Sequence, residues 1–407
     1  MKNIVVTGLG IVSPIGNDIL NFKESLKKGK SGIDYISSYD IENKEVKIAG
    51  EIKNIKFSNY MTKKTLRRTG RATRMAITAT RQAIEDSKLD LEKCGDEVAV
   101  VIGSTLGETG KMNNYFSKLK DDNHGRADSY YMMFANDGIS GYIATEFNIK
   151  GINYSISCAC CSANVALIEA AKLIKLQRYK YVIVCGVEAP IFPLIMKGFN
   201  RTGVFTEKNT SQKAVRPFDK LADGFVGAEG AGCIIIEDSE NATNRDTDIY
   251  CKVSGTGYTC DAVSMTAVSP TNKGKIIAIK KALEEAKINY RDIDCISPYG
   301  SGLKHIDIKE TELVKEVFKE KAYNLYISSI KSMIGHSFGA SAALENISAI
   351  LGLKYSFIPP TINYENPYDK CDLNYVPNTA IDKNYNKVLK LSYGTGNKNT
   401  AVIFESV

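Results

Sequence analysis

Three cysteines in one short turn are the side chains of this 407-residue chain best placed for chemistry. Cys158, Cys160 and Cys161 follow a β-prone stretch, and the apolar periodicity of residues 163–174 predicts a helix directly after them. A thiol at a helix N-terminus lies close to backbone N–H groups and to the positive end of the helix dipole, which favour the thiolate. The turn therefore indicates a cysteine nucleophile. The alternative is that all three are small, buried apolar side chains.

Histidine, a frequent partner of a catalytic nucleophile, occurs at three positions, His124, His305 and His336. The stretch 335–339 matches the G-x-S-x-G turn of serine hydrolases, in which the acid and the histidine follow the serine along the chain. No histidine follows Ser337, so a serine triad of this kind is excluded.

Two further motif matches fail on spacing. Gly8 and Gly10 look like the start of a dinucleotide-binding fingerprint, but Ser13 stands where the third glycine is needed. Cys158 and Cys161 form a CxxC pair, but the chain has no second pair of ligands with similar spacing for zinc. We therefore expect neither a dinucleotide phosphate site nor a metal site.

Positive charge exceeds negative charge by a small margin, with 53 Lys and Arg against 46 Asp and Glu and a net charge of +7. A nucleic-acid binder would concentrate such an excess in a known motif, so we expect no nucleic-acid partner. The densest basic run, residues 63–74, holds six positive charges and no acid. It is either a solvated surface or a docking surface for an acidic partner.

Hydrophobic residues make up 43% of the chain and charged residues 24%, a mixture that excludes a mainly disordered protein. The first residues contain no signal-peptide core with a cleavage site, and no uncharged apolar run is long enough to span a bilayer. We therefore expect a cytoplasmic protein without a membrane span, whose ten cysteines are reduced thiols.

Apolar strands alternate with amphipathic helices along the chain, which indicates an α/β fold with helices on the sheet faces. Apolar runs predict buried parallel strands at 97–103, 179–186 and 231–237, and periodic apolar residues predict helices at 72–84, 163–174 and 275–286. A polar, turn-rich segment at 240–248 is the candidate boundary. Beyond it, 250–257 predicts a strand into a glycine turn and 294–297 a short strand. The repeated rhythm suggests a duplicated architecture.

Five stretches, in order and in spacing, resemble the elongating β-ketoacyl-acyl carrier protein synthases and the polyketide ketosynthases. They are residues 5–17, 157–160, 216–232, 329–345 and 392–397. The resemblance implies a thiolase-like α/β fold in which two topologically similar halves form a five-layered αβαβα structure. It divides the chain into an N-terminal half, 1–245, with the nucleophile cysteine, and a C-terminal half, 246–407, with Tyr299, Lys331 and His336.

The resemblance also implies a role for single residues. Cys160 corresponds to the nucleophile that accepts an acyl group as a thioester, and His336 to the histidine that stabilises the enolate formed on decarboxylation. Lys331 and Glu345 correspond to a buried ion pair that organises this histidine. The backbone N–H groups of Cys160 and Thr395 correspond to the oxyanion hole.

The sequence departs from the family where its first catalytic histidine is expected, because Tyr299 stands there. His305 lies six positions further on, and we expect that it does not substitute. A phenol also donates one hydrogen bond, but it reaches further and has an ordinary pKa of about 10. Losing one donor of this kind costs about 10²–10³ in rate. Decarboxylation should therefore be impaired or altered, whereas acyl loading on Cys160 need not be. Thr395 also replaces the family's gating phenylalanine.

Three functions are compatible with these residues. The first is a β-ketoacyl-acyl carrier protein synthase of fatty-acid or polyketide-type biosynthesis, which loads Cys160 and condenses the acyl chain with a malonyl unit. The second is a non-elongating acyltransferase that uses Cys160 without condensation. The third is a partner subunit of the chain-length-factor type, against which the retained Cys160, Lys331 and His336 argue.

The family resemblance also implies the partners. An acyl carrier protein supplies the phosphopantetheine arm, so no cofactor of the chain's own is expected. The basic residues that fall in the family's docking region are Lys63, Lys64, Arg67, Arg68 and Arg71. A homodimer is expected, with a heterodimer with another ketosynthase-like subunit as the alternative.

Overall fold

Strands and helices alternate along the part of the chain that the computed structural model describes, residues 3–112, 137–208 and 211–407. The strands are β1 (Ile4–Val12), β2 (Ile33–Tyr35), β3 (Ile48–Gly50), β4 (Val98–Gly103), β5 (Asn153–Ile156), β6 (Tyr181–Glu188), β7 (Gly230–Asp238), β8 (Cys251–Cys260), β9 (Cys295–Ser297), β10 (Tyr326–Ile327), β11 (Phe357–Ile358), β12 (Ile381–Asp382), β13 (Lys387–Gly394) and β14 (Lys398–Glu405). The α-helices are α1 (Ile19–Lys27), α2 (Lys63–Arg68), α3 (Arg71–Ser87), α4 (Leu91–Cys94), α5 (Gly138–Glu146), α6 (Ser162–Lys175), α7 (Pro193–Arg201), α8 (Ser239–Asn244), α9 (Lys273–Ala286), α10 (Lys304–Phe318), α11 (Lys331–Ile334) and α12 (Ser341–Tyr355). His124 lies outside the described residues.

The main sheet has the strand order β5-β4-β6-β7-β1-β8-β14-β13-β9-β10. Each half contributes five strands to this sheet. Counted in chain order within their half, they stand, from the centre of the sheet outward, in the order first, fifth, fourth, second, third. The first pairs antiparallel with the fifth and the fifth antiparallel with the fourth, and the two outer pairings are parallel. The two halves therefore share one topology, and they meet where β1 pairs antiparallel with β8.

Alternation of side chains along the strands separates the core into layers. In β4, Val100 and Ile102 pack against the outer helices α3 and α5, whereas Ala99 and Val101 face the central helices α6 and α12. In β13, Leu389 faces the outer layer of the second half. Because α6 and α12 contact strands of both halves, the two halves of the sheet form separate layers on either side of them. The order helix, sheet, helix, sheet, helix is the five-layered αβαβα fold that the family resemblance implies.

The first half brings strand and helix unusually close through two glycines. Gly8 and Gly10 lie inside β1, not after it, and a Cβ added to them would stand 2.4 Å from the carbonyl oxygen of Ala83 and 1.9 Å from that of Ala79. Real Cβ atoms do not approach this closely, so α3 lies against bare backbone here. These glycines therefore serve helix–strand packing.

The second half repeats the arrangement. A Cβ on Gly255 would stand 2.0 Å from the carbonyl oxygen of Ala282, and one on Gly257 would stand 1.9 Å from that of Ala278. The predicted glycine turn at 250–257 is therefore wrong, because β8 continues through both glycines and α9 packs on them. The duplication appears as a G-x-G strand against an A-x₃-A helix in each half.

The structure corrects two further expectations. The strand predicted at 231–237 is present as β7, but it is antiparallel to both of its neighbours, β1 and β6. The polar segment 240–248 is not only a turn, because most of helix α8 lies within it. The N-cap of this helix is Asp238, whose side chain accepts a hydrogen bond from the N–H of Glu240. The three predicted helices are confirmed as α3, α6 and α9. In the described ranges, no helix is long and apolar enough to cross a membrane.

Candidate active site

The nucleophile turn joins β5 to the central helix α6. Ala159 has a φ of +52°, a left-handed conformation that is uncommon for a residue with a Cβ and that marks a locally strained turn. The side chain of Ser162 holds the turn closed, since its Oγ accepts from the N–H of Cys158 at 2.8 Å and donates to the carbonyl of Ala159 at 2.6 Å. Cys160 therefore stands just ahead of α6, as predicted.

The charge state of the Cys160 thiol differs from the sequence-based expectation. Desolvation raises its pKa to about 11, and a hydrogen bond from Tyr299 and the charge of Lys331 lower it by less. The helix N-terminus is present, but Cys161 occupies its cap position and is fully buried. The expectation that position alone favours the thiolate is therefore wrong, because the low-polarity surroundings of the thiol outweigh the helix.

His336 is completely buried at the turn that precedes α12. Its Nδ1 accepts a hydrogen bond from the N–H of Phe338 at 2.8 Å and lies 3.1 Å from Ser341 Oγ. Burial, followed by the charge of Lys331, lowers the pKa of His336 well below its ordinary value. The imidazole is therefore neutral, and because a backbone N–H can only donate, its single proton must be on Nε2.

Tyr299 reaches this Nε2 proton. The Tyr299 hydroxyl lies 2.9 Å from His336 Nε2, and Cys160 packs against the same cluster as Tyr299, where the hydroxyl lowers the pKa of the thiol. Because His336 donates from Nε2, the phenol oxygen accepts that bond and its own proton is free to point to the Cys160 sulfur. The order Phe338 N–H to His336, His336 to Tyr299, and Tyr299 to Cys160 follows from the fixed backbone donor.

The loop that carries Tyr299 is anchored by two buried carboxylates on α10. Glu310 accepts from the N–H groups of Tyr299 and Gly300, each at 2.8 Å. Asp307 accepts from the N–H groups of Ser301 and Gly302. Burial raises the pKa of Asp307 to about 7. His305, on the same helix, is exposed to solvent and has no part in this network.

The predicted ion pair between Lys331 and Glu345 is present, and both side chains are buried. Lys331 Nζ also donates to the carbonyl oxygen of Tyr299 at 2.6 Å. Sequence reasoning missed a third member, Lys390 of β13, whose Nζ lies 2.7 Å from the other oxygen of Glu345. The available signal was a lysine in the middle of an apolar strand.

Aromatic rings close the other side of His336. The Phe225 ring centroid lies 4.6 Å from that of His336, and the Phe338 centroid lies 5.3 Å from it. Phe199 of α7 packs on Phe338 with tilted rings, whose centroids are 4.4 Å apart. These rings, which sequence reasoning also missed, give the histidine an apolar wall and account for much of its desolvation.

Thr395 lies in the short connection between β13 and β14, next to the nucleophile turn. A Cβ on the preceding Gly394 would stand 2.9 Å from the carbonyl of Cys158 and 3.1 Å from the Cys161 sulfur. Ser392 Oγ donates to the carbonyl of Cys160 at 3.3 Å. The C-terminal hairpin thus packs on the turn that carries Cys160, and the oxyanion role of Thr395 stays a prediction.

The basic run divides into two groups. Lys63, Lys64, Arg67 and Arg68 lie on α2 and are exposed. Arg71 begins α3, and its guanidinium makes a two-point ion pair with buried Glu229. Arg71 differs from the other four basic residues, because its guanidinium, although 41% exposed, is already paired with Glu229.

Comparison with known proteins gives consistent matches over the whole chain. Residues 1–242 match the β-ketoacyl synthase N-terminal domain and residues 250–365 the β-ketoacyl synthase C-terminal domain. The chain is 35% identical to 3-oxoacyl-[acyl-carrier-protein] synthase 2 of Staphylococcus aureus (strain COL), over 99% of this chain and 98% of that protein.

Two solved structures are similar to it in full. The ishigamide ketosynthase/chain length factor superposes with a TM-score of 0.93 at 28% identity, covering 100% of this chain and 99% of that one. A type II polyketide synthase acyl carrier protein in complex with its ketosynthase bound to the hexaketide gives a TM-score of 0.91 at 27% identity, with both chains fully covered.

Proposed function

The chain belongs to the β-ketoacyl synthase family, and on that premise we propose that it transfers an acyl group from a carrier protein to Cys160 and condenses it with a malonyl unit. The observation that carries the proposal is the contact among Cys160, Tyr299 and His336 above the buried Lys331–Glu345 pair. We place this reaction in fatty-acid or polyketide-type biosynthesis, where such condensations extend an acyl chain.

Loading requires a thiolate and a stabilised oxyanion. The Cys160 sulfur attacks the acyl thioester carbonyl, a new C–S bond forms, and the bond to the phosphopantetheine sulfur breaks as that sulfur takes up a proton. The Tyr299 proton stabilises the attacking thiolate. We assign the oxyanion to the N–H groups of Cys160 and Thr395, the family's oxyanion positions.

Condensation makes the greater demand on Tyr299. Loss of carbon dioxide from the malonyl group leaves an enolate, whose oxygen needs donors. An oxygen that accepts from both Tyr299 and His336 at about 2.8 Å would need those donor atoms roughly 4.5 Å apart. They lie 2.9 Å apart and bond to each other. Tyr299 must therefore move before both can serve, and a displacement of about 1 Å can cost about 10²-fold in rate.

That same hydrogen bond favours a second candidate function, a non-elongating acyltransferase. With the His336 proton occupied by Tyr299, loading proceeds and decarboxylation does not. The retained nucleophile and its organised surroundings argue against the chain-length-factor alternative, in which the thiol would have no task.

The remaining expectations extend the proposal. We propose that an acyl carrier protein docks on α2 and supplies the phosphopantetheine arm, and that the chain binds no cofactor of its own. A homodimer in the cytoplasm, with the boundary between the halves near 245/246, completes it. The relative solved as a complex with an acyl carrier protein supports the choice of partner.

Intact-mass analysis with acyl-carrier and malonyl-carrier proteins tests the function. The proposal predicts an acyl adduct on the protein, then its loss together with ketoacyl product and carbon dioxide. Cys160→Ala should abolish the adduct, whereas Cys161→Ala, in the same turn, should retain it.

The alternatives give different spectra. A stable Cys160 adduct with no carbon dioxide would establish the non-elongating acyltransferase. No adduct at all in the folded wild-type protein would sink both enzymatic functions and leave the partner-subunit role.

A further inference from the structure

Two buried lysines share one buried carboxylate behind the active site. Lys331 and Lys390 are fully buried, Glu345 is 2% exposed, and each lysine contacts a different oxygen of Glu345. Glu345 by itself cannot balance both charges, and burial lowers the pKa of Lys390 to about 8. A buried charge of this kind is costly, so the contacts that the second lysine makes are informative.

The two ammonium groups hold consecutive carbonyls of the segment that delivers Tyr299. Lys390 Nζ donates to the carbonyl oxygen of Pro298 at 3.1 Å, and Lys331 Nζ donates to that of Tyr299 at 2.6 Å. Side chains from β13 and α11 therefore bind two consecutive peptide units, and Glu345 of α12 links these side chains by pairing with both.

We propose that Lys390 is a positioning residue of the active site, which acts with Lys331 and Glu345 as a clamp that fixes the Tyr299 hydroxyl against His336 and Cys160. The proposal rests on the proposed function only in the use made of Tyr299, because the clamp itself is a property of the thiol site. The charged groups that face Lys390 are Glu345 from α12, Lys331 from α11 and Glu310 from α10.

The consequence for Cys160 follows from the hydrogen bond that it receives. The Tyr299 hydroxyl lowers the pKa of the thiol relative to the value that burial alone would give. If the clamp loosens, this bond lengthens and the thiolate becomes less stable. A loss of one pKa unit of stabilisation lowers the thiolate fraction about tenfold at a fixed pH.

A double-mutant cycle on thiol reactivity tests the clamp without carrier proteins or turnover. The rate of Cys160 alkylation by iodoacetamide is measured against pH, by mass mapping, in wild type, Lys390→Met, Tyr299→Phe and the double variant. Lys390→Met and Tyr299→Phe should each slow alkylation about tenfold near pH 8. The double variant should also be about tenfold slower rather than about 100-fold, because Lys390 acts through Tyr299.

The matched control is Lys175→Met. Lys175, in the last turn of α6, also pairs with a glutamate, but its partner is Glu285 and not Glu345. Cys160 of this variant should be alkylated at the wild-type rate. If Lys390→Met does not fold, Lys390→Gln is carried through the same cycle under the same criteria.

Two results would overturn the proposal. One is a folded Lys390 variant with the wild-type pH profile, which would make Lys390 a packing residue. The other is a double variant whose alkylation rate falls by the product of the two single effects, about 100-fold. Lys390 would then act independently of Tyr299. Failure of the proposed function would appear instead in the carrier-protein assay, with the cycle intact.

Discussion

Tyr299 sets the direction of hydrogen bonding in the site. A fixed donor, the N–H of Phe338, assigns the His336 proton to Nε2, and Tyr299 accepts it. In the absence of substrate, the phenol thus satisfies the histidine and turns its own proton to Cys160. The position of this one hydroxyl group therefore affects the two steps in opposite ways. Against His336 and Cys160 it favours loading, but it occupies the His336 proton that decarboxylation needs.

A histidine at position 299, the residue that the family resemblance implies there, should separate these two steps. Tyr299→His removes the phenol oxygen from Nε2 and leaves the His336 proton free for the enolate, so carbon dioxide release from malonyl-carrier protein should rise by about 10²-fold. Tyr299→Phe is the control, since it frees His336 without adding a second donor. Equal decarboxylation in wild type and Tyr299→His would contradict the assigned effect of Tyr299.

The raised pKa of Cys160 gives a pH dependence with a definite sign. A thiol with a pKa of about 11 is almost entirely protonated at pH 7, and its thiolate fraction increases about tenfold for each pH unit until the pKa is reached. Alkylation of Cys160 should therefore accelerate steadily from pH 7 to above pH 10. Exposed Cys260 in the same protein is the internal reference. A plateau for Cys160 below pH 9 would contradict the desolvated thiol.

At the scale of elements, the sequence predicts regular periodicity well and close approaches poorly. Helix α3 was predicted from apolar spacing, and β4 from an unbroken apolar run. The turn predicted at 250–257 was wrong, because Gly255 and Gly257 carry a turn signal whenever the partner helix is unknown. Only the packing of α3 on β1 and of α9 on β8 shows that a Cβ at the glycines of these strands would clash with the helix backbone.

These close approaches predict unequal costs for two glycine substitutions. Gly257→Ala would place a Cβ 1.9 Å from the Ala278 carbonyl and must push α9 off the sheet, at a cost of about 3 kcal/mol or more. Gly198→Ala, in helix α7 with nothing within 4 Å, should stabilise by about 0.5–1 kcal/mol. Chemical denaturation measures both. Similar free energies of unfolding for the two variants would refute the packing argument.

At the scale of the whole molecule, the duplication explains how distant residues meet. Cys160 precedes α6 and His336 precedes α12, and these are equivalent central helices of the two halves. Small residues, Ala163 and Ala343, both pack against the position of Gly186 and let the helix starts approach each other. Motif order in the sequence was enough to predict Cys160, Lys331, His336 and Glu345. Lys390 was not predicted, because its partners come from other elements and no motif marks it.

The exposed charges of α2 form a basic surface that suits an acidic partner protein. Lys63, Lys64, Arg67 and Arg68 project from one short helix and have no ion pair within the described parts of the chain. An acidic carrier protein should neutralise them, so affinity should fall as salt rises. Reversing Lys64 and Arg67 to Glu should weaken acyl-carrier binding by at least tenfold, flatten its salt dependence, and leave thermal stability unchanged.

Arg71 gives a contrast within the same basic run. Because Glu229 is buried and paired with it, Arg71→Glu should lower stability by about 1–3 kcal/mol through an unpaired buried carboxylate, whatever it does to binding. The docking helix is thus identified by variants that lose binding and keep their melting temperature. Calorimetric titration of acyl-carrier protein at two salt concentrations decides the matter: unchanged affinity in the Lys64→Glu, Arg67→Glu variant would move the docking surface away from α2.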